Sequence, residues 1–389
     1  MSYEAKREYL EAIRARYRKS TKKAKGLILD EFCRVTKYSR KYAVRILSGS
    51  VEPRMKKPGP KSKYITILPY LTELWDVLDR PCSKKLKVAI PDLLHHYKNK
   101  SLTKKREDLL KSISPSTIDR LLKHIRQGKQ KGIGGTKPLN WMKSHIPLEL
   151  LHKKVTKPGY VEADTVLHCG DRISGTYAHT VTVTDIASTW TENRAVWTKQ
   201  SDKVLEALKQ IETQLPFPLW AFASDNGTEL LNQKVYDYLN NRKTKIKIMR
   251  RRPNKKNDNA HVEQKNLTHV RQLFGYDRFD DMAMVAVMNE IYSAYWNKLH
   301  NFFIPTMKLV ERTRVGGRIR KKYDLPKTPF QRILENPEVP QWVKRNLTDQ
   351  KKGYDPFKLK AALDDRMGDF VRLVEHARIR RKFSSKVPA

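Results

Sequence analysis

YVEADTVLHCG, residues 160–170, decides how this chain is read. Its Val, Thr, Ala and aromatic content, with Lys157-Pro158-Gly159 ahead and Gly170 behind, predicts a strand. Within it stands a carboxylate, Asp164. An unpaired carboxylate buried in a strand would cost several kcal/mol, so Asp164 calls for a partner or a metal. TYAHTVTVTDIAS (176–188) and TENRAVWTK (191–199) repeat the composition and predict two further antiparallel strands. SDKVLEALKQIETQL (201–215) then reads as an amphipathic helix with Ser201 as N-cap and Val204, Leu205, Leu208 and Ile211 inward. A strand, LWAFASD (219–225), a helix, ELLNQKVYDYLNNR (229–242), and a short strand, IKIMR (246–250), follow. The polar loop RRPNKKNDN (251–259) leads into a helix that begins near Ala260. This order predicts a mixed five-stranded α/β sheet with helices on its faces.

Two more acids stand out against that frame. Asp225 ends its strand and precedes Asn226-Gly227, a turn that exposes it at the carboxyl edge of the sheet, where open α/β sheets place ligands. Glu263 falls on a helical stripe of Ala260, Leu267, Val270 and Phe274, at a position where the period asks for a hydrophobe. Three carboxylates from these elements can converge on two Mg²⁺ or Mn²⁺ ions, which prefer oxygen ligands. Two such ions about 3.5–4 Å apart stabilise the attacking and leaving oxygens of a phosphoryl displacement. Plainer readings stand beside this one. Asp164 could accept N–H bonds at a strand irregularity, Asp225 could simply open an Asp-Asn-Gly turn, and Glu263 could pair with Arg271. Glu162 shares the strand face of Asp164, Asp185 reads as a turn residue, and Glu229 as an acid in the first turn of a helix.

Outward from this region the chain is basic, with 80 Lys and Arg against 41 Asp and Glu for a formal charge of +39, which points to a polyanionic partner such as nucleic acid. No apolar run is long enough to span a bilayer, and MSYEAKREYLEAIRARYRK at the start carries charges where a signal peptide has an apolar core, so an intracellular location is expected. Cys33, Cys82 and Cys169 are scattered, and Cys82 with His95 and His96 supplies too few ligands for a zinc site.

The length predicts several domains. Residues 1–50 read as a helix-turn-helix unit: one helix carries Leu29, Phe32 and Val35, a break follows at Lys37 to Ser39, and a second helix carries Ala43, Ile46 and Leu47. Arg40, Lys41 and Arg45 would face outward toward a DNA groove, although a three-helix bundle with a solvated basic face has the same pattern. Residues 51–66, with the KKPGPK run (56–61), read as a basic Pro/Gly linker. A second helical, helix-turn-helix-like unit is expected over 67–128. Its last helix is capped by Ser114-Pro115, buries Ile118, Leu121, Leu122 and Ile125, and turns Arg120, Lys123, His124 and Arg126 outward. Residues 129–156 form another linker, 157–304 the α/β core, whose last helix turns Met284, Val287, Ile291 and Tyr295 inward, and 305–389 a basic region whose fold the pattern leaves open.

EADTVLHCG (162–170), ASDNGTEL (223–230) and NDNAHVEQKN (257–266) resemble the three acidic motifs of the DDE transposase and retroviral integrase superfamily, in its insertion-sequence branch. The spacing of 38 positions from Asp225 to Glu263 is close to that of the integrase branch, and KKYDLPKTPFQRIL (321–334) is similar to a tract in members of this group. The paired His and Cys of the amino-terminal integrase zinc domain are absent from this sequence. The resemblance implies an RNase H-like core in which Asp164, Asp225 and Glu263 hold two Mg²⁺ or Mn²⁺ ions, with Asn259, Lys265 and Asn266 near the DNA end. It implies hydrolysis at transposon ends, joining of the freed 3′-hydroxyl to target DNA, assembly of a homo-oligomer on DNA, and a bacterial cytoplasmic, nucleoid-associated protein. A regulator with an inactive core, or a nuclease that cuts without joining, are the alternative readings. Terminal repeat, target preference, stoichiometry and any helper protein are not legible.

Overall fold

The computed structural model describes residues 3–51, 62–99, 101–125, 155–224, 229–250, 260–315 and 318–384. The chain divides into two compact units, residues 1–62 and 63–389. Asp225, Asn259, Arg126, the KKPGPK run and nearly all of the 129–156 linker lie outside the described residues.

The first unit contains α1 (Tyr3–Lys19), α2 (Lys22–Thr36) and α3 (Arg40–Ser48) around a small core of Leu10, Ile13, Ile28, Leu29, Phe32, Ile46 and Leu47. Lys37, at φ 60°, closes α2 in the left-handed conformation, and its N–H bonds Cys33 O at 2.9 Å. The Arg14 guanidinium holds the end of α3 through Ile46 O at 2.9 and 3.1 Å. Val35, expected to be inward, is 42% exposed, whereas Ile28, about two turns earlier on the same helix, is buried.

In the second unit, α4 (Leu68–Val77), α5 (Ser83–His96), α6 (Lys104–Ser112) and α7 (Pro115–Leu122) precede the sheet. Ser114 caps α7 by accepting from Thr117 N at 3.2 Å, as its position before Pro115 predicts. Ile118 and Leu122 are fully buried, whereas Ile125 lies beyond the helix and is exposed. These helices share one apolar core with α12 (Met282–Glu290), α13 (Asn297–Phe303), α14 (Pro329–Glu335), α15 (Gln341–Lys352) and α16 (Pro356–Ser384). The Tyr97 and Phe357 rings pack at a tilt with centroids 5.4 Å apart, and Lys351 reaches Asp92 at 2.7 Å.

The mixed five-stranded sheet has the order β3-β2-β1-β4-β5, built from β1 (Tyr160–Leu167), β2 (Ala178–Asp185), β3 (Thr191–Trp197), β4 (Ala221–Ser224) and β5 (Lys247–Arg250). The first three strands are antiparallel, while β4 and β5 run parallel to β1. α8 (Ser201–Gln214) and α9 (Gln233–Asn240) cover one face through Val161, Ala163, Val181, Val183, Val204, Leu208 and Phe222. Ser201 is the first residue of α8, and Gln200 occupies the N-cap position that the sequence assigned to Ser201.

Gly159 sets the start of β1. At φ +108° it bonds Trp220 N at 2.8 Å through its carbonyl, and a Cβ there would sit 2.2 Å from Pro218 O. Its own N–H donates to Asp185 at 2.7 Å, and Asp185 also accepts from the Ser188 N–H and hydroxyl, so this acid is the turn residue its sequence context predicts.

Edge strand β3 is covered rather than left open. Asn289 accepts from Ala195 N at 2.7 Å and donates to Ala195 O at 2.9 Å, and Asn301 does the same for Thr191 at 3.0 and 2.9 Å. The amides thus complete the hydrogen bonding of strand backbone that has no sheet neighbour.

Beyond α13, β6 (Leu309–Val315) and β7 (Arg318–Tyr323) form an antiparallel hairpin. Among the described residues no helix is long and apolar enough to cross a membrane.

Candidate functional site

The polar face of β1 lies under a helix that begins with α10 (Ala260–Lys265), continues as a π-helical stretch (Asn266–Arg271) and ends in α11 (Gln272–Phe274). Three bonds pin the helix along the strand. Val262 N donates to Glu162 at 3.3 Å, Asn266 Nδ2 donates to Asp164 Oδ2 at 2.6 Å, and Arg271 donates to Leu167 O at 2.8 Å. The spacing has a simple origin: four α-helical residues rise about 6 Å and two strand residues about 6.6 Å, so Val262 and Asn266 meet Glu162 and Asp164 in register.

Asp164 is half-buried, and its second oxygen accepts from Thr165 N at 2.8 Å. Ala163 pairs with Ser224, the last described residue of β4, so Asp164 stands one position beyond that pair along β1, at the carboxyl end of β4. Asp225 is the next residue of the chain and lies outside the described residues. Glu263 lies in α10, three positions before Asn266, and its side chain is likewise outside what is described. Among the described residues no group of three or more His, Cys, Asp or Glu side chains is placed to hold a metal ion.

The stripe that singled out position 263 needs correction at one member. Leu267 is 49% exposed, while Val262, Lys265, His269 and Val270 are buried. The π-helical stretch adds a residue to the turn and rotates everything after Lys265 relative to a regular 3.6-residue period. The same effect recurs at Ile291–Trp296, where Tyr292 and Trp296 are buried and Tyr295, expected to be inward, is only half-buried.

Glu162 is fully buried against Val262 N and anchors the helix. Glu229 precedes α9 rather than sitting in its first turn, and its carboxylate accepts from Thr165 Oγ1 at 2.7 Å. Lys265 and Asn266, adjacent in sequence, part ways. Asn266 meets Asp164, whereas the buried Lys265 lies 3.3 Å from His269 Nε2, and burial pushes its amino group down to about 7, with Lys85 and Arg332 adding to the shift. Arg40, Lys41 and Arg45 are exposed on α3, with Arg40 paired to Asp30. Arg120 and Lys123 are exposed at the end of α7. Sequence reasoning placed Lys265 near the DNA end and missed its burial with His269 and His300, whose signal is polar residues at helical spacing on a buried face.

Glu192 was missed as well. It accepts from Trp190 Nε1 at 2.9 Å, Asn297 at 2.7 Å and Asn301 at 3.2 Å, and burial pushes its carboxyl up to about 7.

Fold and site define a mixed α/β sheet protein whose first strand presents an aspartate, bonded to an asparagine of the helix above it, beside the end of a parallel strand. The chain is 36% identical over 345 residues to the uncharacterized protein y4rM of Sinorhizobium fredii (strain NBRC 101917 / NGR234), a match spanning 85% of this chain and 96% of that protein. It belongs to the same family as y4rM. No family model matches the sequence. Among solved structures, the catalytic core domain of BIV integrase is similar over 44% of this chain and 91% of that chain, with 11% identity and a TM-score of 0.28.

Proposed function

We propose that the protein is a DDE-type DNA transposase, a polynucleotidyl transferase that cuts at transposon ends and joins them to target DNA. The observation that carries this reading is the Asp164–Asn266 bond beside the end of β4, on a strand whose polar face is fixed by three bonds to one helix. Asp164, Asp225 and Glu263 are the proposed catalytic acids.

The residues fit a hard divalent ion. Asp164 offers carboxylate oxygens, and the Asn266 amide oxygen is buried with no hydrogen-bond partner among the described residues. Asp164, Asp225 and Glu263 would hold Mg²⁺ or Mn²⁺, which when bound would offset the charge of a scissile phosphodiester. Asn266 orients the Asp164 carboxylate, and the Glu162 anchor keeps α10 against β1. The excess of 39 positive charges favours phosphate binding throughout. In this reading Arg40, Lys41 and Arg45 on the first unit and Arg120 and Lys123 on α7 contact terminal-repeat DNA, Asn259 and Asn266 lie near the processed end, Lys265, buried beside His269, does not join them, and two protomers hold the two ends together.

The test uses the full chain with labelled terminal DNA, taken from the sequence flanking the gene, a target plasmid and Mg²⁺ or Mn²⁺. Wild type is expected to give nicked ends and joined products, and Glu263→Gln to give neither while still binding DNA. Joining by the Glu263→Gln protein would remove Glu263 from the site, and cutting without joining by wild type would favour a nuclease.

A further inference from the structure

A cavity of about 690 Å³ opens in the second unit, on the side of α10 that carries Lys265. Its wall combines the turn from Leu78 into α5, the Lys265–Gln272 part of the long helix, and the chain from Ile304 into the β6–β7 hairpin. Arg80, Lys85, Lys265, Lys308 and Lys321 line it, and Asp79 is the one acid among the lining residues. Arg80 is paired with Asp76 and Lys308 donates to Ala187 O. Lys85, Lys265 and Lys321 have no carboxylate partner among the described residues.

Two details mark this as more than a basic surface. Lys265 is 7% exposed, and its polar partner among the described residues is the ring of His269, whose centroid lies 3.8 Å from that of His300. The Nδ1 atoms of both histidines are buried with no hydrogen-bond partner among the described residues. A buried cation without a counter-charge is costly, and like charges gathered around one cavity raise that cost. A multivalent anion in the cavity would offset both.

We propose that this cavity binds an organophosphate of nucleotide size, with its phosphate among Lys85, Lys265 and Lys321. Lysine ammonium groups serve as point-charge ligands for phosphate. The volume falls in the range of about 300–1,000 Å³ common to small-ligand sites and exceeds what a lone phosphate needs. Leu78, Ile304, Met307 and the Tyr323 ring provide apolar wall for the remainder of the ligand. The same chemistry comes from two sources, the phosphorylated end of a nucleic-acid strand or a free nucleotide. The site is independent of the catalytic reading above, since it needs neither Asp164 nor a metal.

The experiment titrates full-length protein in EDTA with a fluorescent ADP analogue, so that no catalytic readout enters. Saturable 1:1 binding is expected, weakened about tenfold or more by Lys85→Ala. Lys85→Arg should restore it, and Lys203→Ala on α8 should leave it unchanged. Displacement by a 5′-phosphorylated oligothymidine well beyond that by its unphosphorylated twin assigns the site to a strand end, displacement by neither assigns it to a free nucleotide, and equal displacement by both overturns the proposal in favour of backbone binding. Non-saturating binding, or affinity that Lys85→Ala and Lys321→Ala leave untouched, overturns the proposal.

Discussion

The two faces of β1 are both covered by helices, yet they are built from different chemistry. Toward α8, Val161 and Ala163 join Val181, Val183, Val204 and Phe222 in an apolar core. Toward the 260–274 helix, Glu162 and Asp164 stand opposite Thr184 and Thr182 of β2, and three hydrogen bonds to the strand fix a helix that also buries Val262, Val270 and Phe274. β2 writes the same division into its sequence as alternating Val and Thr from Thr180 to Thr184. An apolar face tolerates small shifts, whereas a hydrogen-bonded face fixes its partner's position, which is what a site for chemistry requires. Stability should therefore reside mainly on one face and function on the other.

The comparison breaks most severely on the apolar side. Phe222→Ala removes a 2% exposed ring from the β4 core and should cost about 3–5 kcal/mol, read as a fall in the denaturation midpoint. DNA processing per folded molecule should be unchanged. Asn301→Leu at the β3 edge should cost roughly 2–3 kcal/mol, because it leaves both Thr191 backbone groups and one Glu192 contact unsatisfied. Asn301→Gln recovering full stability would show that the clamp geometry does not matter.

Glu192 sharpens the comparison through pH. Its carboxyl is raised from 4.5 to about 7 in the folded protein, so the folded state holds a proton that the unfolded state releases between those values. The stability it contributes is present below about pH 4.5 and lost as pH rises through 7. Glu192→Gln should match wild type near pH 4.5 and exceed it by roughly 1–3 kcal/mol at pH 8. The buried histidines, held low by burial, titrate alike in both proteins and cancel in the difference. A difference independent of pH would contradict the assignment. The smallest stability effect belongs to the polar face of β1: Asn266→Ala should cost only about 1 kcal/mol while lowering DNA processing well below wild type.

Legibility in the sequence followed the same division. Val, Thr and Ala bounded by Gly, Asp and Ser made β1 to β3 readable, with ends that differ from the observed strands by up to three residues. Helices failed where their geometry left the 3.6-residue period. A π-helical turn leaves no mark in composition, so Leu267 was placed inside and Tyr292 and Trp296 were missed. The carboxyl-terminal helices were unread because their core residues Leu363, Phe370, Val374 and Ala377 are buried by α4, α5 and α12, which are distant in sequence. At the site, Asp164 and Asn266 were both named from sequence, but the bond between them depends on the register of a helix and a strand a hundred residues apart.

The most direct test of the account is Asp164→Asn, a change that keeps the shape and removes the charge. Joining of labelled terminal DNA to a plasmid in Mg²⁺ should fall on the order of 100- to 1,000-fold or more, with DNA affinity and denaturation midpoint close to wild type. Joining at the wild-type rate by a folded Asp164→Asn protein would contradict the account.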